Sequence, residues 1–261
     1  MKEPIMADMP QRLALNVAEI SSVGGRASNQ DAIGRAERGE LVCFVVSDGA
    51  GGHEGGEVAS QTVVQAVLGA FGQRAGFSAD AAPAMVAEAA IAVARSKRQR
   101  PALQGMSATV ALALVDRAGA QATWAHMGDT RIYLFRDGRL LQATRDHSMV
   151  QQMIDAGLAA GADPRSHPKR NVLYAAIGTD NEVPPSVQPP LALCAGDAIL
   201  ICTDGLWEWV AEPQMELLLA KAGSAQEWLS SICALADERA GLVHKARDNF
   251  SAQAIFIGEA P

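Results

Sequence analysis

The chain has 261 residues, 49% of them hydrophobic and 20% charged, a balance that suits a globular protein with one large domain or two small ones. Its formal net charge of −7 at pH 7 argues against a nucleic-acid binder, which would display a basic face. The apolar runs at 41–46 and 108–115 fall far short of the roughly 20 residues that span a bilayer, which argues against a membrane partner. Residues 1–12 carry acidic residues and prolines and no continuous apolar stretch, so they read as a flexible tail and not as a secretory leader. No Pro/Ser-rich linker divides residues 13–261, and a single domain is expected, in a cytoplasmic monomer. Cys43, Cys194, Cys202 and Cys233 show no C-x-x-C spacing, so reduced thiols are expected and neither zinc nor disulfides.

Strands are predicted at 13–20 and 41–46, the second running into Ser47-Asp48-Gly49. Helices follow at 57–71 and 79–95, where Val63, Val67 and Phe71 recur at helical spacing. The densest basic cluster, Lys97, Arg98 and Arg100, reads as the solvated end of the second helix, cations beside its negative dipole terminus. Four strands come next, at 109–116, 121–127, 131–136 and 139–143; Asp137-Gly138 between the last two is a hairpin signal, so part of the sheet is antiparallel. A helix at 148–156 leads into a loop-like stretch at 157–169, and a strand at 198–203 runs into Asp204-Gly205. Helices at 212–222 and 225–240 precede a final strand at 252–257; Ser224-Ala225-Gln226-Glu227 has the capping-box pattern. Strands and helices arrive in blocks and do not alternate strictly, which favours an α+β layered sandwich over a doubly wound parallel sheet.

The apolar runs before Asp48 and Asp204 predict strands covered on both faces, each delivering a carboxylate to the rim of a core. Desolvating such a charge is costly unless a cation or hydrogen-bond donors compensate. Asp31, Asp129 and Asp248 stand in similar settings; any one alone would read as a turn or cap residue, but together they would repel one another. A hard divalent cation, Mg²⁺ or Mn²⁺, resolves the repulsion, because it prefers oxygen ligands. Gly49 leaves its carbonyl open to approach as a further oxygen donor. Two such ions about 4 Å apart can lower the pKa of a bridging water and clamp an in-line displacement at phosphorus. Arg26, five residues before Asp31, can grip two phosphate oxygens.

Competing motifs fail on the letters. In Gly49-Ala50-Gly51-Gly52-His53-Glu54, Glu54 stands where a dinucleotide fingerprint needs its third glycine. Gly105-Met106-Ser107-Ala108-Thr109 has Thr109 where a nucleophile elbow requires glycine, and there is no Walker lysine. His126 reads as a packed strand residue, and His147, His167 and His244 as structural or solvent-facing.

Six elements, in order, resemble the metal-dependent protein serine/threonine phosphatases, called PPM or type 2C, in their compact bacterial form. They are Arg26-Ala27-Ser28-Asn29-Gln30-Asp31, the run from Ser47 through Asp48-Gly49-Ala50-Gly51-Gly52-His53 to Ser60, Gly128-Asp129-Thr130-Arg131, Thr144-Arg145-Asp146-His147-Ser148, Thr203-Asp204-Gly205-Leu206-Trp207-Glu208, and Arg247-Asp248-Asn249. The resemblance implies a central β-sandwich of two mostly antiparallel sheets flanked by helices on both sides. It implies that Asp48 bridges two Mn²⁺ or Mg²⁺ ions, that the Gly49 carbonyl binds one, and that Asp204 and Asp248 complete the second ion's shell. Asp31 falls where the family holds metal-bound water, Asp129 where a third, weaker metal binds, and Arg26 where the substrate phosphate is gripped.

The implied activity is hydrolysis of phosphoserine and phosphothreonine on proteins, with a cognate Ser/Thr kinase among the partners. A catalytically silent module that binds phosphoproteins and a hydrolase of small phosphate esters are the alternatives. Three departures stand out: Gln30 where many relatives have Glu, Ala50 where eukaryotic relatives carry a histidine proposed as general acid, and G-M-S-A-T at 105–109 for the family's G-x-G-T-T. His53 is a weak substitute for the missing histidine, and 157–183 is the expected recognition flap.

Overall fold

Strands that are apolar on both faces need cover on both faces, and that requirement sets the layering of the molecule. The structure, a computed structural model, describes residues 12–73, 76–159, 161, 163–180, 183–244 and 246–260, the side chains of 52–54 excepted. The expected tail therefore lies outside the described residues apart from Arg12, whose guanidinium makes two hydrogen bonds to Glu40, at 2.8 and 2.9 Å. The elements in chain order are β1 (Leu13–Ser22), β2 (Asp31–Arg38), β3 (Leu41–Ala50), α1 (Gly52–Gln73), α2 (Ala81–Gln99), β4 (Ser107–Ala108), β5 (Val110–Asp116), β6 (Gln121–Met127), β7 (Arg131–Arg136), β8 (Arg139–Ala143), α3 (Met149–Asp155), β9 (Ser186–Ala192), β10 (Ala198–Cys202), α4 (Asp204–Trp207), α5 (Glu212–Leu219), α6 (Ala225–Leu242) and β11 (Phe250–Glu259).

One sheet has the order β1-β11-β10-β7-β8; the other runs β2-β3-β5-β6-β9, with β4 paired to β3. Every strand pair is antiparallel. Between the sheets lie Phe44, Val46, Ala113, Ile132, Leu134, Ile199, Ile201 and Ile255. Their alternate neighbours face outward. Cys43, Val45 and Leu112 pack on Val63, Val67, Phe71 and Met85 of α1 and α2, while Tyr133, Phe135, Leu200 and Cys202 pack on Met215, Trp228 and Ile232 of α5 and α6. Each large apolar side chain so buried contributes about 1.5–3 kcal/mol. Phe135 meets Trp228 edge-on at 5.3 Å between ring centroids. The α+β sandwich with helices on both sides is thus the observed architecture.

Two boundaries matter for the site. The strand expected at 41–46 continues to Ala50, so Asp48 and Gly49 lie within β3 and not beyond its end. The helix expected from residue 57 begins at Gly52, inside the glycine-rich run. Asp137 (φ 52°) and Gly138 (φ 72°) form the two-residue turn between β7 and β8, the positive-φ conformation that suits antiparallel strands. At the start of α6, Ser224 Oγ accepts from the Glu227 N–H, but the Glu227 carboxylate reaches back to the Gly223 N–H in place of Ser224's.

Candidate active site

The β2–β3 register sets Asp31 directly opposite Asp48. Asp31 is buried; its Oδ2 accepts from Thr203 Oγ1 at 2.9 Å and its Oδ1 has no hydrogen-bond partner among the described residues. Thr203 follows β10 directly and precedes Asp204, the first residue of α4. Asp248 lies two residues before β11, the strand between β1 and β10. Asp129 sits in the turn between β6 and β7, where Gly128 has φ +106° and an added Cβ would meet Thr109 Cγ2 at 2.6 Å. Thr109 joins these pieces: its Oγ1 accepts from the Asp48 N–H at 2.8 Å and contacts Thr130 Oγ1 at 2.6 Å.

A pocket of ≈ 180 Å³ results, lined by Arg26, Asp48, Gly49, Asp129, Asp204 and Asp248 among others. The structure therefore brings these sequence-predicted residues around one cavity, with Asp31 behind Asp48. Gly49 has a steric reason beyond its open carbonyl: an added Cβ would stand 1.9 Å from the Gly56 carbonyl oxygen of α1.

Burial and mutual repulsion hold these acids away from their ordinary ionisation. Burial, then the charges of Asp204, Asp31 and Asp129, raises Asp48 well above the carboxylate range. Burial, then Asp129, Glu208 and Asp248, does the same to Asp204. Asp129 is pushed up to about 7 by burial and Asp146, against the opposing pull of Arg131. Asp31 is pushed up to about 6 by burial, with the hydrogen bond from Thr203 opposing.

The oxygen-only donor set and the unpartnered Asp31 Oδ1 fit a hard cation, which would stabilise all these carboxylates in their charged form. Among the described residues, no group of three His, Cys, Asp or Glu side chains already converges as a ligand shell. Asp248 is engaged by protein partners: its Oδ2 accepts from Arg26 and its Oδ1 from the Asn249 N–H at 2.8 Å.

Sequence reasoning missed the residues that tie the expected flap to this pocket. Asn171, Leu173 and Ala176 line it. Arg165 donates to the Trp207 carbonyl at 3.0 Å and to Glu212 at 2.7 Å, and Arg170 pairs with Glu208. Trp207 in turn donates its indole N–H to the Asp129 carbonyl at 2.9 Å, with the Arg131 guanidinium 3.5 Å from its ring centroid. Arg131 is buried and makes two 2.8 Å bonds to Asp146.

The histidines read as structural prove to be a buried stacked pair in the case of His126 and His147, 4.8 Å apart. His126 Nε2–H donates to the Arg145 carbonyl, and His147 Nδ1 accepts from the Gly128 N–H, so His147 is the neutral Nε2–H tautomer and His126 carries a proton on Nε2. No histidine lines the described pocket; the His53 side chain lies outside the described residues.

A family model described as protein phosphatase 2C matches residues 21–240. The serine/threonine protein phosphatase PstP of Mycobacterium tuberculosis is 36% identical over 72% of this chain, and the match spans 35% of that protein's length. The serine/threonine phosphatase stp of Listeria welshimeri is 31% identical, with 70% of this chain and 73% of that one aligned. A crystal structure of the PstP catalytic domain in complex with two manganese ions superposes with a TM-score of 0.79 at 29% identity, covering 95% of this chain and 100% of that one. With its layered sandwich, its acidic pocket and a family match over most of its length, the chain belongs to the protein phosphatase 2C family.

Proposed function

We propose that this chain is a protein serine/threonine phosphatase that hydrolyses phosphoserine and phosphothreonine at a two-metal Mn²⁺ or Mg²⁺ centre. The observation that carries the reading is the grouping of Asp48, Asp129, Asp204 and Asp248 with Arg26 around one pocket. Support comes from the two manganese ions in the PstP catalytic domain and from the names of the relatives. Asp48, the Gly49 carbonyl, Asp204 and Asp248 would hold two ions, Asp31 would accept from metal-bound water, and Asp129 would serve a third, weaker ion. When bound, such ions supply a deprotonated water at neutral pH and neutralise charge on the phosphoryl oxygens.

Arg26 orients the phosphate through its planar fork. Asp31 is fixed by Thr203, so its free Oδ1, buried behind Asp48, is the oxygen left to accept a further hydrogen bond. Residues 13–261 act as one catalytic domain. Phosphorylated proteins, among them a cognate kinase, are the inferred partners of a cytoplasmic monomer. No helix among the described residues is long and apolar enough to cross a membrane.

Release of phosphate from a phosphothreonine peptide with Mn²⁺ tests the proposal. Asp48→Ala or Asp204→Asn should lower kcat by about a hundredfold or more, the scale of losing a principal electrostatic stabiliser. Full activity in either variant would sink the two-metal assignment. A wild-type protein that binds the phosphopeptide without turning it over would mark a silent binding module. Far higher efficiency on small esters than on peptides would mark an ester hydrolase.

A further inference from the structure

The loop that carries Arg26 is held by one side chain that the functional reading leaves without a role. Asn249 is buried, and its carboxamide is fully engaged in one direction: Nδ2 donates to the carbonyls of Val23 at 2.8 Å and Ser28 at 2.9 Å, while Oδ1 accepts from the Gln30 N–H at 2.8 Å. Two acceptors on one side and a donor on the other suit a carboxamide and no carboxylate. The Val23 carbonyl also accepts from the Arg26 N–H at 3.2 Å, so Asn249 grips the turn from which Arg26 projects.

Other contacts lay the same loop against the same strand end. The Gly25 N–H donates to the Arg247 carbonyl at 2.8 Å. Gly24 has φ +58°, and a Cβ there would stand 2.2 Å from the Asp248 carbonyl oxygen. Farther along, the Gln30 carbonyl accepts from the Gly49 N–H at 3.1 Å, which carries the link on to β3. Asn249 thus spans the residues next to Asp248, Arg26 and Gly49 at once.

We propose that Asn249 is a positioning residue that fixes the Arg26 loop against the pocket and thereby sets affinity for the substrate phosphate. The proposal rests on the placement of Arg26 under Proposed function. Arg26 is itself exposed, with side-chain accessibility of 61%, so its own contacts do little to fix it and the backbone beneath must. Asn249 borders the pocket, but both its Nδ2 hydrogens and its Oδ1 are held by protein partners, so its loss frees the loop without removing a donor aimed at substrate. The cost therefore falls on KM more than on kcat, as expected for a group that orients binding.

The test pairs kinetics with amide hydrogen exchange on the full chain with Mn²⁺. Asn249→Ser removes the carboxamide without adding charge, and Asn249→Asp keeps its shape while setting a carboxylate oxygen against two carbonyls. Each should raise KM for a phosphothreonine peptide by about tenfold, the scale of one or two lost hydrogen bonds, with kcat within about threefold. Exchange at residues 23–30 should speed up while the protection of β5 and β6 stays as in the parent. In an Arg26→Ala background, Asn249→Ser should raise KM by less than about twofold, because the two residues act through one contact.

Unchanged exchange at 23–30, unchanged KM, or a loss of kcat at constant KM would each overturn the proposal. So would equal KM effects with and without Arg26. If Arg26→Ala itself leaves KM unchanged, the placement of Arg26 fails first and the role of Asn249 in substrate affinity falls with it. Those two failures are told apart by the Arg26→Ala measurement alone. Should Asn249→Asp not fold, Asn249→Ser still decides, since serine adds no charge beside Asp248.

Discussion

Asp248 accepts from Arg26 on one carboxylate oxygen and from the Asn249 N–H on the other, so a cation at this carboxylate competes with the arginine. The ion pair is partly exposed, 61% at Arg26 and 36% at Asp248, and such pairs are worth no more than about 1 kcal/mol. Removal of the arginine should therefore favour metal modestly while it harms substrate binding. Arg26→Ala is expected to tighten Mn²⁺ by about twofold to fivefold in calorimetric titration, the range that 1 kcal/mol or less allows. Its KM for phosphopeptide should rise by about tenfold or more, the loss of a charge-assisted contact. Weaker Mn²⁺ binding would show that Arg26 supports the acidic pocket and does not compete for it.

Two glycines next to aspartates look alike in the letters and differ in the fold. Gly138 follows Asp137 in a turn with φ +72° and open space around it, so Gly138→Ala pays only for its backbone conformation, about 1 kcal/mol. Gly49 follows Asp48 inside β3, where a Cβ would stand 1.9 Å from the backbone oxygen of Gly56, so Gly49→Ala must displace α1. Overpacking of this kind costs about 1–3 kcal/mol or more, and urea unfolding should rank Gly49→Ala below Gly138→Ala. The reverse order would mean that α1 yields without cost.

Legibility followed the same physics. Doubly covered strands such as β5, β6, β7 and β10 announce themselves as apolar runs, and with them came Asp48, Asp129 and Asp204. The edge strands β2 and β9 do not. β2 contains Gly34, whose missing side chain admits Val64 and Leu68 of α1 at 2.7 and 2.8 Å from a notional Cβ. β9 contains Pro189 and Pro190, which only an edge tolerates, and its pairing with β6 is interrupted by a bulge. Arg165 and Arg170, in the stretch expected to be a recognition flap, were invisible because a surface arginine and one bound to the α4 turn are spelled identically.

At the scale of the whole molecule, stability and pH are linked through two buried sets of opposite sign. The acids have folded pKa values raised from the ordinary carboxylate range, to about 6 for Asp31, to about 7 for Asp129, and well above the usual range for Asp48 and Asp204. Their contribution is fully present below pH ~4, the unfolded value, and is lost as pH rises through 6 and 7. The stacked histidines run the other way. Burial lowers His126, and burial with the neighbouring His126 lowers His147 to about 4. Their contribution is present above pH ~6.5 and lost as pH falls toward 4.

Four raised acids outweigh two lowered histidines, so the metal-free protein should lose stability, on the order of a few kcal/mol, between pH 4 and pH 7. A saturating divalent cation compensates the carboxylates as charges and cancels their share of that slope. What then remains is the histidine pair, with its opposite sign. Urea unfolding from pH 5.5 to 7.5 should show stability falling with pH in chelator and rising with pH in Mn²⁺. His147→Gln should flatten the rise in Mn²⁺ while leaving the fall in chelator in place. Identical slopes with and without the cation would mean that the acidic pocket takes up no metal.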